Sequence, residues 1–275
     1  MTSGMDTYQL LMEQGTLLRN LFALLSLCSA RLIAAMVVMP ATSAAKLPGM
    51  VRAGLPLWIG LFIAWGQSPD VVARLSIVDV GLLVLKEALL GLLIGFAAGM
   101  IFWVAEAVGS MIDNLAGYNN VQQSNPNSSD QSTPVGSLLG EMAIWAFYVL
   151  GGMMAFLGML FDSYTWWPLT RMSPDGVQML ERFAQMRLGE YMLSVAQLSA
   201  PALLTLLLID LGFGLLTKTA EKLEPNSMAQ PVKGAVTMVL LSLMIGVYFT
   251  QLRGHFMLVD LSRELNKFFI LAAER

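Results

Sequence analysis

The sequence predicts an all-helical membrane protein, and three observations carry that prediction. Of its 275 residues, 56% are hydrophobic and only 13% charged, far below the roughly 25% charged of soluble domains. The mean hydropathy is +0.65. The apolar residues gather in six or seven helical runs, and one of them, residues 79–116, carries a stripe at helical spacing: Glu87, Gly91, Gly95 and Gly99, continued by Glu106, Gly109 and Asp113. Residues four apart share a helix face.

In chain order, residues 17–38 form the first run, ended at Met39-Pro40 because proline lacks a backbone donor and disfavours helix just before it. A connector with Lys46 and Pro48 leads to 51–65, a short run with Pro56 inside it, which predicts a kink or burial within protein. The 79–116 helix would be about 55 Å long against a hydrocarbon slab of roughly 30 Å, too long for a simple span. Residues 138–160 read as one apolar run. Residues 161–189 are mixed, with Tyr164, Trp166 and Trp167 suited to an interfacial belt. Residues 191–216, a 218–233 connector and 235–252 follow. The tail, 253–275, is predicted amphipathic: Met257, Leu261, Leu265 and Phe268 on one side, Asp260, Arg263, Glu264 and Lys267 on the other. The whole chain, 1–275, reads as a single domain without internal repeats.

The loop after the long helix, residues 117–134, differs from everything around it. It runs from Gly117 and Tyr118 through Asn119, Asn120, Val121, Gln122 and Gln123 to Pro126, Asp130 and Pro134, polar but hardly charged and with no lysine or arginine. Basic residues near helix ends prefer the cytoplasm. Lys46 and Arg52, and Lys218, Lys222 and Lys233, choose one side, which would also make this base-free loop cytoplasmic. That conflict implies a loop buried in protein, or a chain that does not cross the bilayer in the ordinary way.

Several chemistries are excluded or unsupported. A formal net charge of −3 and the lack of a Lys/Arg-rich run give no basis for a nucleic-acid partner. The single Cys28 forms neither an internal disulfide nor a metal cluster. No phosphate loop or nucleophile–base set is visible, and no cofactor is expected. Arg31 interrupts the first apolar run and the first sixteen residues hold no base, so the N-terminus is expected to be retained rather than cleaved as a signal. Lys86, Glu87 and Asp210 are ionisable residues inside apolar runs, where a lone charge costs several kcal/mol and faces protein or water. They read either as buried structural partners, Lys86 with Glu87, or as an ion relay. Gly91, Gly95 and Gly99 read as a small-residue face for close subunit packing. From the residues alone, a proton-coupled secondary transporter and a structural subunit of a membrane pore both fit.

Four stretches resemble a known family: MPATSAAKLPGMVRAGL at residues 39–55, LKEALLGLLIGF at 85–96, GSMIDNLAG at 109–117 and DLGFGLLTKTAEKLEPNSMAQPVK at 210–233. Together they are similar to the type III secretion export-gate proteins, the flagellar FliR and injectisome SctT/SpaR family, and the IDN stretch is more like the injectisome branch. Ala116 stands where family members often carry a basic residue. The resemblance implies stacked helical hairpins that look like an R-type and an S-type subunit fused. It also implies partnership with R-type (FliP-like) and S-type (FliQ-like) subunits, a FlhB-like switch protein, a FlhA-like export platform and unfolded secreted proteins. The expected setting is the bacterial inner membrane. In that family the 117–134 loop is the plug of the export channel, and the subunit is a conduit and not an enzyme.

Overall fold

A computed structural model describes residues 2–67, 70–73, 75–118, 123–124, 131–170, 176–219, 225–256 and 263. Eight α-helices account for nearly all of them: α1 Thr2–Val38, α2 Gly49–Trp65, α3 Asp70–Ala73, α4 Ile77–Ala116, α5 Pro134–Val149, α6 Gly152–Trp166, α7 Gly176–Thr219 and α8 Pro225–Phe256. The only extended structure among the described residues is a pair of two-residue strands, β1 Gln123–Ser124 and β2 Gln131–Ser132. They run antiparallel with Gln123 opposite Ser132. The fold is therefore all-α, as the helical apolar runs predicted. Leu11–Val38, Ile77–Ala116 and Glu181–Thr219 are each long and apolar enough to cross a membrane, and α5 with α6 adds a bent fourth.

Helix ends follow local chemistry. After α1, a single 3-10 turn, Pro40–Thr42, closes on Thr42, whose Oγ1 donates to the Met36 and Met39 carbonyls at 2.6 and 3.1 Å. The Met36 carbonyl is one that the end of α1 leaves unpaired, and the Met39 carbonyl also takes the Thr42 backbone N–H at 3.1 Å. At the start of α4, Asp79 in the first turn accepts from the Ser76 backbone N–H at 3.1 Å, half of a capping box. Two expectations need correcting. Residues 138–160 are not one helix, because Gly151 takes φ +79, a left-handed conformation that ends α5 and lets α6 leave at 72°. The 218–233 connector is shorter than expected, because α8 begins at Pro225, where the missing N–H is one the helix leaves unbonded anyway. Of the 253–275 tail, residues 253–256 end α8, while Met257, Asp260, Leu261, Glu264, Leu265, Lys267 and Phe268 lie outside the described residues.

The chain gathers into two compact units, and α4 contributes to both. The first contains the described residues of Met1–Ala98 and Leu160–Pro174. Its centre is α1, whose Leu24, Leu27, Cys28, Leu32, Ala35 and Met36 form a buried stripe at helical spacing. Leu83, Leu90 and Ile94 of α4 are likewise buried. The glycine stripe operates here, within the chain. A Cβ on Gly91 would collide with the Arg31 carbonyl, one on Gly95 with the backbone of Ala35, and one on Gly60 of α2 would stand 2.8 Å from Ser29 Cβ. The neighbour of Gly91 and Gly95 is thus the chain's own α1, which corrects their expected role in packing against another subunit. Gly99 is buried.

The second unit contains the described residues of Gly99–Met159 and Asp175–Leu265. Phe102 of α4 meets Phe147 of α5 edge to face, with centroids 5.4 Å apart. Gly109 and Gly136 bring the same two helices into backbone contact, since a Cβ on Gly109 would lie 2.5 Å from Gly136 Cα. On α7, Val195, Ser199, Ala202 and Leu206 are buried, whereas Leu204, Leu208, Leu211 and Leu215 are exposed.

The close approach of α1 and α4 gives a direct test. Gly91→Ala is expected to destabilise by about 1–3 kcal/mol, because a methyl group there forces two backbones apart. Gly54→Ala, in α2 with open space around it, should be neutral or mildly stabilising through helix propensity. Heat-aggregation midpoints of the detergent-solubilised proteins would decide. A Gly91→Ala protein as stable as Gly54→Ala would reject the intramolecular role of the stripe.

Candidate functional site

Two clusters of polar groups stand out, one in each unit. In the first, Glu87 is fully buried on α4 at the middle of the stripe that carries Leu83 and Leu90. Its Oε2 accepts from Nε of Arg31 at 2.7 Å, and its Oε1 lies 2.7 Å from Nζ of Lys86. Arg31, also 0% exposed, is the partner that sequence reasoning missed. Its signal was present: an arginine in an apolar run deserves the same argument as Lys86 and Glu87.

The cations also reach beyond Glu87. Arg31 donates through Nη1 to Ser163 Oγ at 2.8 Å and through Nη2 to the Trp167 carbonyl at 3.0 Å. Lys86 donates to the carbonyls of Pro168 and Leu169 at 3.2 and 2.8 Å. Three consecutive carbonyls just past the end of α6 are thus held by two cations, in keeping with the negative end of a helix dipole. The Tyr164 ring lies under the Arg31 guanidinium at 4.1 Å, and its hydroxyl donates to the Cys28 carbonyl at 2.6 Å. Every donor nitrogen of Arg31 has a partner, so the cluster is built as a joint between α1, α4 and the chain after α6.

In the second unit the polar groups surround the base of the 117–134 loop. Asp113, fully buried on α4, accepts from the backbone N–H of Val135 and of Gly136 at 2.8 and 3.2 Å. Those are orphan donors of the first turn of α5, and a carboxylate there also meets the positive end of its dipole. On the other side of the loop, Gly117 takes φ +83 and its carbonyl accepts from Gln230 Nε2 at 3.1 Å. Tyr118 lines a depression with Gln230, Pro231 and Gly234 of α8. Gln123 lies in β1, and Pro134 opens α5. The other loop residues named from sequence, Asn119, Asn120, Val121, Gln122, Pro126 and Asp130, lie outside the described residues.

Lys86 and Glu87 meet in the first unit, and Asp210 belongs to the second. Asp210 is not buried as expected: its side chain is 44% exposed and pairs with Lys233 of α8, because the face of α7 that carries it also exposes Leu207 and Leu211. Lys86 is only 12% exposed.

Glu87→Gln leaves Arg31 and Lys86 without a counter-charge and is expected to cost roughly 3–5 kcal/mol, seen as a sharp fall in the membrane level of the protein. Combining it with Arg31→Met should recover more than combining it with Lys86→Met, since Arg31 is the more deeply buried cation. The opposite ranking would show that Lys86 is the principal partner of Glu87.

Comparison with known proteins places this architecture. Residues 22–259 match the model of the family described as bacterial export proteins, family 1. The chain is 30% identical to Yop proteins translocation protein T of Yersinia pestis over 226 residues, covering 82% of this chain and 85% of that protein. It is 29% identical to secretion system apparatus protein SsaT of Salmonella typhimurium over 188 residues, 68% of this chain and 69% of the relative. Flagellar biosynthetic protein FliR of Bacillus subtilis is 27% identical over 178 residues, 64% and 69% of the two chains. With three or four helices able to cross a membrane, the chain fits a multi-pass protein of the bacterial inner membrane. A family match over most of the chain, carried by a helical membrane fold, establishes that this protein belongs to the bacterial export proteins of family 1, the FliR/SctT/SpaR family.

Proposed function

We propose that this chain is a structural subunit of a type III secretion export gate, forming part of the channel through which unfolded proteins cross the inner membrane. The observation that carries the reading is the base of the 117–134 loop. Its exit is clamped by the buried Asp113 against α5 and its entry is held by α8. A polar, charge-poor segment held at both ends on a helical frame suits a plug, which must pack against its surroundings when closed without stranding charges. The segment is read as that plug, from Gly117 to Pro134.

Its partners in this reading are R-type and S-type gate subunits, fused versions of which this chain resembles, together with a FlhB-like switch protein, a FlhA-like platform and the secreted polypeptides. Exposed apolar faces on α2 and α7, including Trp58, Phe62 and Trp65 and Leu204, Leu208 and Leu215, support a chain that needs other helices or lipid around it. The reading makes the protein a conduit component rather than an enzyme. Arg31, Glu87 and Lys86 are engaged with one another and with helix carbonyls, which favours a structural role over the relay of a proton-coupled transporter.

Two measurements test this. Deleting residues 119–130 while keeping both ends of the loop should let ions and small solutes cross the inner membrane with assembly intact. Unchanged permeability in an assembled complex would remove the plug assignment. Glu87→Gln should lower secretion in proportion to its loss of membrane level and of co-purifying partner subunits. Secretion lost at normal level and normal co-purification would instead favour the transporter.

A further inference from the structure

Two of the sequence motifs end on one knot of contacts at the carboxyl end of α4. Lys233, which closes the 210–233 motif, donates through Nζ to the Leu115 carbonyl at 3.2 Å and pairs with Oδ1 of Asp210, which opens that motif. Three residues earlier on α8, Gln230 donates to the Gly117 carbonyl. Leu115 and Gly117 close the 109–117 motif. The Leu115 carbonyl belongs to the last turn of α4, where no intrahelical donor remains, the Gly117 carbonyl lies just past that end, and an ammonium there also meets the negative end of the dipole. Directly at this point the backbone turns left-handed at Gly117. The next residue, Tyr118, lays its hydroxyl over Gly234, where a Cβ would stand 2.5 Å from it.

We propose that Lys233 is a positioning residue: by bridging Asp210 of α7 and the Leu115 carbonyl of α4, with Gln230 beside it, it sets the direction in which the chain leaves α4. The consequence for export rests on the plug reading; the positioning role does not. The two ends of the loop are held differently. The exit depends on a buried carboxylate within α4–α5 contact, whereas the entry depends on side chains of α8, one of them exposed. The entry therefore follows α8 and its pairing with α7. An ammonium has three donors and serves Asp210 and Leu115 together. An aspartate at position 233 could pair with a lysine at 210 yet could donate nothing to a carbonyl.

That difference supplies the test. In the assembled membrane complex, with Cys28→Ala, a nitroxide is attached at Gln123→Cys. Lys233→Met is expected to raise the mobile fraction of the label about tenfold, the ratio that about 1.4 kcal/mol represents. Lys233→Arg should match the parent, and the charge exchange Asp210→Lys with Lys233→Asp should behave like Lys233→Met. An unchanged label spectrum in Lys233→Met, or full restoration by the exchange, would overturn the proposal. Should Lys233→Met fail to assemble, Gln230→Ala carries the same reading, with label release expected and an unchanged spectrum overturning it. Ion permeability separates the two proposals. Label release without a leak, when the 119–130 deletion also does not leak, removes the plug and leaves the positioning role standing. A leaking deletion with a label indifferent to Lys233→Met does the reverse.

Discussion

The first unit depends on how three charges are kept out of water. Removing an ion from water costs several kcal/mol unless its partners are close and well aligned. Here Glu87 stands between two cations, and each cation completes its coordination on carbonyls of the 167–169 segment just past the end of α6. The arrangement has one consequence for the fold: Lys86 and Glu87 meet on α4 itself, but α1, α4 and the 167–169 segment must all be in place before all three charges are fully satisfied. A substitution that frees one of them leaves the others exposed to the same penalty, so the cluster rewards only the complete packing.

Close backbone contact makes that arrangement possible. Gly91 follows Glu87 by one helical turn and faces the carbonyl of Arg31 itself. The absent side chain lets α1 approach α4 closely enough for the guanidinium to reach the carboxylate at 2.7 Å. In a lipid environment, where apolar burial gives little drive to helix association, such small-residue contacts and interhelical polar pairs carry the specificity. Charge and glycine are therefore two halves of one joint.

The second unit uses helix ends rather than a buried ion cluster. Asp113 answers the donors at the start of α5, while Lys233 and Gln230 answer the acceptors at the end of α4. Both devices frame the same loop, and both draw on the partial charges that helix termini carry. The Gly109–Gly136 contact holds α4 and α5 near enough for Asp113 to span them.

Much of the local structure was legible in the residues. The long α4, the short proline-bearing α2 and the stop at Met39-Pro40 followed from apolar run lengths and proline chemistry, because those signals act within a few residues. The family resemblance was carried by short motifs in order. Where the chain bends, and what each charge meets, was not legible. Gly151 looked like any glycine in an apolar run until its left-handed φ separated α5 from α6. Lys86 was the obvious neighbour of Glu87, yet the deeper partner, Arg31, is 56 residues away in sequence. The glycine stripe was read as packing against another subunit, whereas Gly91 and Gly95 face the chain's own α1, and Asp210 was expected buried on hydropathy alone though its helix face is open. Composition and spacing determined that the chain is helical, membrane-bound and built for tight contacts. Which helices meet, and which charges answer one another, was decided only by tertiary packing, since a contact's energy depends on distance and burial that no local pattern encodes.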